Sequence, residues 1–191
     1  MRRTSLLLLA ACAATPAAAE MDSAFVTQLS ISVAKVRAHT AQGKTFLGSG
    51  VVVATDEVLT NCHVTRDASS IAVVKGALAY NVYSQRVDME HDLCLLKTDA
   101  MMLKPVPVRD SASLKPGDRS IYYGYTGGVE AFFAEGKVTA LHKLDGSAVI
   151  ETSSGFSLGA SGGGLFDEQG RLIGITTFLS AGHMGAYYAM P

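Results

Sequence analysis

The stretch GSGVVVATDEVLTNCHV, residues 48–64, contains two short β-rich runs, Gly50–Thr55 and Glu57–Asn61, separated by Asp56. Valine and threonine are favoured in strands, whereas glycine, aspartate and asparagine punctuate turns. Six more runs of this kind follow along the chain: Ser70–Val74, Leu93–Lys97, Ser120–Tyr125, Glu135–Leu141, Ala148–Thr152 and Arg171–Phe178. Many short strands joined by turns indicate an all-β protein built from two antiparallel sandwiches or barrels.

The composition agrees with a compact β-rich chain. The 191 residues include 16 Lys and Arg, 17 Asp and Glu, and 48% hydrophobic residues, so a sizeable core can be buried. The net charge of −1 argues against both a basic nucleic-acid-binding surface and a charge-driven disordered chain. The 19 glycines, against 5 prolines, favour many tight turns over a few long helices.

Two segments depart from the strand pattern. Residues 21–36 scatter apolar positions among Ser, Thr and Gln, which predicts a turn or two of helix at the start of this segment. Prolines cluster in a polar setting in residues 104–117, which predicts a linker. We therefore expect an N-terminal region and first barrel over residues 20–108, and a second barrel over residues 109–191.

The first 19 residues have the pattern of a secretory signal peptide. Arg2 and Arg3 give a basic start, residues 6–11 form a short apolar run, and alanines at 17–19 supply a small-residue cleavage site. This pattern predicts export, to a bacterial periplasm or out of the cell. Two other interpretations are a bacterial lipobox ending at Cys12, which would anchor the protein through a lipid, and an ordinary core segment at residues 6–11.

A serine surrounded by glycines stands in the segment GASGGG, residues 159–164. Glycines let the backbone turn sharply and present the Ser161 hydroxyl together with nearby N–H groups. The N–H groups of Gly159 and Ser161 are candidates for an oxyanion hole, which stabilises the charge of a tetrahedral intermediate. The alternative is a glycine-rich hairpin turn in which Ser161 only caps or solvates the backbone.

A serine nucleophile needs a base and, usually, a carboxylate that orients the base. His63 lies at the end of the strand-like run Glu57–Asn61, whose apolar residues would hold the imidazole rigidly. Asp92 opens the apolar run Leu93–Lys97. An unpaired carboxylate beside such a strand is costly to bury, so we expect Asp92 to have a partner.

The motifs TNCHV around His63, HDLCLLK around Asp92 and GASGGGL around Ser161 resemble, in this order, those of the chymotrypsin-fold serine proteases. The resemblance is closest to their bacterial HtrA (Deg-like) branch and covers roughly residues 44–191. It extends to flanking segments in the expected order: SLKPGDRSIYYGY, AEGKVTAL, GRLIGITTF and the terminal YYAMP. The resemblance implies two six-stranded β-barrels, with His63 and Asp92 on the first, Ser161 on the second, and catalysis between them. In α/β-hydrolases the acid and histidine follow the serine, so the order seen here argues against that fold.

The sequence departs from the HtrA pattern at several points. Ala160 stands where the branch usually has asparagine, and Gly164 where it usually has proline, which predicts a looser serine loop. Digestive relatives carry an aspartate at the position of Ala160, so their zymogen switch is not expected here. The sequence stops at Pro191, where HtrA proteins continue into PDZ domains, so we expect no PDZ domain.

The resemblance also implies a pocket for the residue that precedes the scissile bond. Its predicted lining is Ser154, Gly155 and Phe156, with Thr176, Thr177 and Phe178 as the edge strand. No aspartate falls at its base, so small or medium apolar side chains are expected rather than Lys or Arg. For Phe156 and Phe178, ordinary core packing is the alternative.

If the three motifs assemble, Cys62 and Cys94 must be near neighbours, because one precedes His63 and the other follows Asp92 by two residues. We predict a disulfide between them, which would stabilise the fold by roughly 3 kcal/mol by restricting the unfolded chain. The alternative is two buried free thiols. The remaining histidines show no metal-binding spacing, so we expect no metal site.

The sequence thus predicts an exported serine endopeptidase that acts on proteins or peptides through His63, Asp92 and Ser161, without a cofactor. Neither a nucleic-acid partner nor an integral membrane span is expected in the mature form. The sequence does not indicate whether the protein is a monomer or an oligomer. The alternative function is a protease-fold module that no longer turns over and instead binds peptides or partner proteins.

Overall fold

The computed structural model describes residues 22–127, 130–157, 159–179 and 186–191, without the side chains of residues 147, 178 and 179. The predicted signal peptide and the alternative lipidation site at Cys12 lie outside the described residues. Within the described ranges, no helix has the length and apolar character needed to cross a membrane.

The first barrel is a closed antiparallel sheet in the order β1-β2-β3-β6-β5-β4. Closure comes from pairing of β1 with β4, in which Val36 lies opposite Val73. Along each strand, side chains alternate between the barrel interior and the outside, and the interior positions are filled by valines and other apolar residues. Its strands are β1 Val33–His39, β2 Thr45–Ala54, β3 Glu57–Asn61, β4 Ser70–Lys75, β5 Leu78–Asp88 and β6 Leu93–Thr98.

The second barrel is also closed, in the order β10-β11-β12-β9-β8-β7. Its strands are β7 Arg119–Thr126, β8 Glu130–Leu144, β9 Ser147–Thr152, β10 Gly164–Phe166, β11 Leu172–Leu179 and β12 Tyr187–Met190. A 3₁₀ turn, Ser111–Ser113, precedes it. The predicted class, two six-stranded antiparallel β-barrels, is confirmed.

The helices are short. Helix α1, Ser23–Ser30, lies where the sequence predicts a turn or two of helix, and the Asp22 side chain caps it by accepting from Ala24 N at 2.9 Å. Its Leu29 is buried. Helix α2, Cys62–Thr65, follows β3 directly and carries His63. The outer strand β5 was not predicted, because most of its residues are exposed and it lacks a clean apolar alternation.

One hydrophobic cluster, which we name the shared core, contains residues of both barrels. Its fully buried members include Val33 and Val51 from the first barrel and Ile121 and Phe166 from the second. Phe25 of α1 packs against it. The two barrels therefore meet across a continuous apolar interface rather than a solvated gap.

The predicted linker is bound to both barrels. Val106 is buried in the shared core, and its N–H donates to Val52 O at 2.9 Å. On the other side, Leu172 N donates to Pro107 O at 2.8 Å and Arg109 N donates to Leu172 O at 2.9 Å. The segment runs along the barrels as an extra hydrogen-bonded strand, so its prolines mark an extended path and not a flexible hinge.

Candidate active site

His63 is held by its position on α2. Strand β3 delivers the chain to the helix, and Val64, the residue after His63, is buried in the first barrel. The His63 side chain is 42% exposed and therefore faces outward from this anchored turn. A rigid backbone with an accessible ring is the arrangement that a general base requires.

Asp92 binds His63 at two points. Its Oδ2 lies 2.6 Å from His63 Nδ1, and its Oδ1 accepts from the His63 main-chain N–H at 2.9 Å. Because a carboxylate only accepts hydrogen bonds, Nδ1 carries a proton and the Nε2 lone pair of a neutral ring is left free. Asp92 thus has the partner that its position predicts, which is His63. The Asp92 backbone is in the left-handed region, with φ of 54°.

Thr177 is a third group on this carboxylate. Its Oγ1 donates to Asp92 Oδ2 at 2.9 Å, across from β11 of the second barrel. From the sequence, Thr177 is predicted at the edge of a substrate pocket; in the structure its hydroxyl hydrogen-bonds to the Asp92 carboxylate. The sequence gives little indication of this contact, because threonine is common in strands. Only the packing of the second barrel against the first brings Thr177 to Asp92.

The serine loop, residues 159–163, is fixed by contacts to both barrels. Ser161 O accepts from Ser49 N of β2 at 2.8 Å, and Thr176 Oγ1 of β11 donates to both Ala160 O and Gly163 O at 3.1 Å. Ala160 is buried. The loop therefore has defined support despite the departures at Ala160 and Gly164.

Glycine is required at two positions of the serine loop. Gly159 has φ of 87°, and a Cβ there would lie 2.6 Å from Gly127 N. Gly162 has φ of 81°, and a Cβ there would collide with Ser49 O. Both conformations and both close approaches exclude a larger residue.

Three polar groups of the loop are available for a substrate. Within the described ranges, the Gly159 N–H, the Ser161 N–H and Ser161 Oγ have no hydrogen-bond partner in the chain. The same holds for His63 Nε2, so the structure contains no bond between Ser161 Oγ and His63. Such bonds are often long in proteins without substrate and shorten in the complex.

The Cys62–Cys94 disulfide predicted from the sequence is present. It joins the first residue of α2 to β6, and Cys62 N also donates to Asp92 O at 3.2 Å. Covalent and hydrogen-bonded links therefore connect the segment that carries His63 to the segment that carries Asp92.

A cavity of about 680 Å³ lies beside the segment that leads into the serine loop. Its walls are mostly apolar, and among the described residues Glu130 is the one charged lining residue. The lining consists of Thr126, Glu130, Ala131, Phe132, Ala134, Gly155, Phe156, Ser157 and Tyr187. Phe156 packs between the rings of Tyr122 and Tyr187, with centroids 5.2 and 4.9 Å away.

The predicted pocket residues divide between this cavity and the barrel interior. Gly155 and Phe156 line the cavity. Ser154 does not, because its side chain is fully buried and donates to Ser120 O at 2.9 Å. Thr176 is likewise buried against the serine loop, and the side chain of residue 178 lies outside the described residues.

A second acid–histidine pair lies next to Asp92. His91 Nδ1 is 2.7 Å from Asp88 Oδ2, at the end of β5. The hydrogen bond to Asp88 raises the pKa of His91, and the same bond lowers the pKa of Asp88. Across the described ranges, no three His, Cys, Asp or Glu side chains are grouped so that they could hold a metal ion.

Comparison with known proteins identifies the family. Residues 48–175 match the family described as the trypsin-like peptidase domain. The chain belongs to the trypsin-like peptidase family. The matched range includes His63, Asp92 and the serine loop.

Two proteins similar to this chain come from bacteria. The chain is 30% identical over 154 residues to a putative serine protease, HhoB, of Synechocystis sp., an alignment that covers 75% of the chain and 37% of HhoB. It is 32% identical over 154 residues to a probable periplasmic serine endoprotease, DegP-like, of Chlamydia muridarum, covering 75% of the chain and 31% of that protein.

A solved structure of an HtrA-type protease, AlgW with a tripeptide, superposes with a TM-score of 0.76 at 28% identity, covering 87% of this chain and 58% of that one. These similarities confirm the resemblance to the HtrA branch. The chain spans about a third of the length of the two curated relatives.

Proposed function

We propose that this protein is an exported serine endopeptidase in which Ser161 is the nucleophile, His63 the general base and Asp92 the orienting carboxylate. The observation that carries the proposal is the double contact of Asp92 with His63, at 2.6 Å to the ring and 2.9 Å to the main chain. This contact fixes the tautomer in which Nε2 accepts a proton.

The reaction follows from these roles. Ser161 Oγ attacks the substrate carbonyl carbon while His63 Nε2 takes the hydroxyl proton, and Asp92 stabilises the resulting imidazolium. The peptide C–N bond then breaks, and His63 returns the proton to the leaving amine. Water repeats the sequence on the acyl-enzyme, with His63 as base, to release the acid product and restore Ser161.

The oxyanion hole is proposed at the Gly159 and Ser161 N–H groups. Both are unpartnered within the described part of the chain, and the positive φ at Gly159 is a conformation that glycine adopts without a steric penalty. Loss of one such donor typically costs roughly 3–4 kcal/mol of barrier.

For the substrate, we propose proteins or peptides with an apolar side chain before the scissile bond. The apolar cavity beside the serine loop, with Phe156 and Tyr187 in its wall, supports this assignment. Export is supported by the predicted signal peptide, by the disulfide, which oxidising compartments favour, and by relatives named as periplasmic.

Labelling with a fluorophosphonate tests the proposal. An activated serine displaces fluoride and forms a bond between Oγ and phosphorus, without any knowledge of the natural substrate. We expect one label per molecule, located at Ser161 by peptide mass spectrometry and lost in Ser161→Ala and His63→Ala.

The matched controls are Ser84→Ala on exposed β5 and His142→Ala on the outside of the second barrel, both of which should keep the label. A folded wild-type protein that takes no label would contradict the proposal and favour the non-catalytic binding module.

A further inference from the structure

Asn61 is the N-cap residue of α2, yet its side chain makes no capping hydrogen bond. Asparagine is favoured at this position because its oxygen usually accepts from a first-turn N–H. Here the side chain is fully buried and both ends of the amide bind elsewhere. Nδ2 donates to Asp92 O at 3.0 Å, and Oδ1 accepts from Gly162 N at 2.7 Å.

The contact with Gly162 fixes the peptide unit that follows the serine. Ser161 O accepts from Ser49 N at 2.8 Å, and Gly162 N donates to Asn61 Oδ1 and, at 3.0 Å, to Thr176 O. Because a peptide group is planar, holding its carbonyl and its N–H together sets its orientation. Two residues of the first barrel thus orient the main chain at a serine that belongs to the second barrel.

The contact with Asp92 supports a strained backbone. Asp92 has φ of 54°, a conformation that costs a non-glycine residue free energy unless its surroundings hold it. Its carbonyl oxygen accepts from Asn61 Nδ2 and from Cys62 N at 3.2 Å. Asn61 thus binds the main chain of the residue whose carboxylate contacts His63.

We propose that Asn61 is a positioning residue that couples the acid segment at Asp92 to the serine loop at Gly162, and so sets how Ser161 is placed relative to His63. The proposal rests on the catalytic roles proposed above. In this proposal, the placement of Ser161 relative to His63 depends on the buried Asn61 amide as well as on the packing of the two barrels.

The first test compares fluorophosphonate labelling of wild type, Asn61→Leu and Asn61→Asp. Leucine has a similar size and makes neither hydrogen bond, whereas aspartate keeps an acceptor for Gly162 N and loses the donor to Asp92 O. We expect Asn61→Leu to lower the maximal labelling rate by about 100-fold, the cost typical of a small misplacement of reacting groups. The probe concentration that gives half-maximal rate should change little, since Asn61 does not line the cavity.

Thr65→Val is the matched control. Thr65 is buried on the same helix, and its Oγ1 donates to Gln85 Oε1 at 3.0 Å, away from the serine loop. This variant should lose stability and keep the wild-type labelling rate. If Asn61→Leu does not fold, Asn61→Ser replaces it, because serine is too short to reach both partners.

An NMR measurement tests the coupling independently of catalysis. In Asn61→Leu the Gly162 amide proton should shift upfield, because the shorter of its hydrogen bonds is lost, and the His63 Nδ1 proton should broaden. In Asn61→Asp only the His63 signal should change strongly. Thr65→Val should alter neither signal.

Folded Asn61 variants that label at the wild-type rate, with both proton signals unchanged, would overturn the positioning role. A wild-type protein that takes no label would contradict the proposed function instead, and the two proton signals would still decide whether Asn61 couples the acid to the serine loop.

Discussion

At the scale of single residues, the site depends on hydrogen bonds that converge on Asp92. Its Oδ2 receives both His63 Nδ1 and Thr177 Oγ1, and its φ is positive. His63, Asp92 and Ser161 stand out in the sequence because their residue types and order are distinctive, and they remain a prediction. The contacts of Thr177 and Asn61 could not be predicted, because each depends on which distant segment packs against the side chain.

Thr177→Val should lower the labelling rate roughly tenfold, since a hydrogen bond to a charged group contributes about 1.5 kcal/mol or more. The substitution keeps the shape of the side chain and removes only the donor to Asp92 Oδ2. Thr139→Val is the control, because it removes a similar bond to the Glu151 carboxylate on the outside of the second barrel. Equal rates for the two variants would show that Thr177 does not assist Asp92.

The His91–Asp88 pair should give a pH dependence that NMR can follow. His91 should titrate above its ordinary pKa of 6.5, because the bond to Asp88 favours the protonated ring. Its contribution to stability is therefore complete below pH 6.5 and is lost as pH rises through the raised pKa. The pKa of Asp88 lies below its ordinary value of 3.8. Asp88 therefore stabilises the fold above pH 3.8, and this stabilisation is lost as the pH falls through its lowered pKa.

In Asp88→Asn, the His91 titration should return to near the ordinary pKa of 6.5. Glu90→Gln should lower the pKa of His91 much less, because Glu90 acts on it only through charge. An unchanged titration in Asp88→Asn would reject the pair.

At the scale of elements, strand β11 supports the site on both of its faces. Successive side chains of a strand point in opposite directions, so Thr176 reaches the serine loop while Thr177 reaches Asp92. Thr176 is fully buried against the serine loop and does not line the cavity. The sequence predicts β11 and seven other strands from their apolar runs. It does not predict β1, the polar β5, the three-residue β10 or the short β12, whose pairing depends on neighbours distant in sequence.

The link between α2 and β6 leads to a prediction about stability. Replacing both Cys62 and Cys94 with alanine should lower the free energy of unfolding by about 3 kcal/mol, because the unfolded chain loses a closed loop. Urea denaturation measures the change. Wild-type protein treated with a dithiol reductant should show a similar loss, and a double variant as stable as the oxidised wild type would refute the estimate.

At the scale of the whole molecule, the shared core and the bound linker make the barrels interdependent. The shared core draws Val51 and Ile121 from different barrels, and residues 104–109 bind to both. The sequence could predict the two barrels and where the linker lies. It could not predict that the linker is packed, because prolines in a polar setting are equally typical of a flexible segment.

The barrels should therefore unfold together. We expect urea unfolding, followed through amide NMR signals of each barrel, to show one midpoint for both. Ile121→Val in the shared core should cost about 1 kcal/mol and move both midpoints equally. If signals of the first barrel kept their wild-type midpoint in this variant, the barrels would be independent folding units.

The first barrel binds the peptide unit after Ser161 through Ser49 and Asn61, so the site can form only when both barrels are present. The serine loop follows the whole first barrel in the sequence, and the second barrel closes only when β12 pairs with β9 and β11. A partly synthesised chain thus carries His63 and Asp92 without an aligned nucleophile. Under the proposed function, Ser161 is aligned with His63 only after β12, the last strand of the chain, has paired.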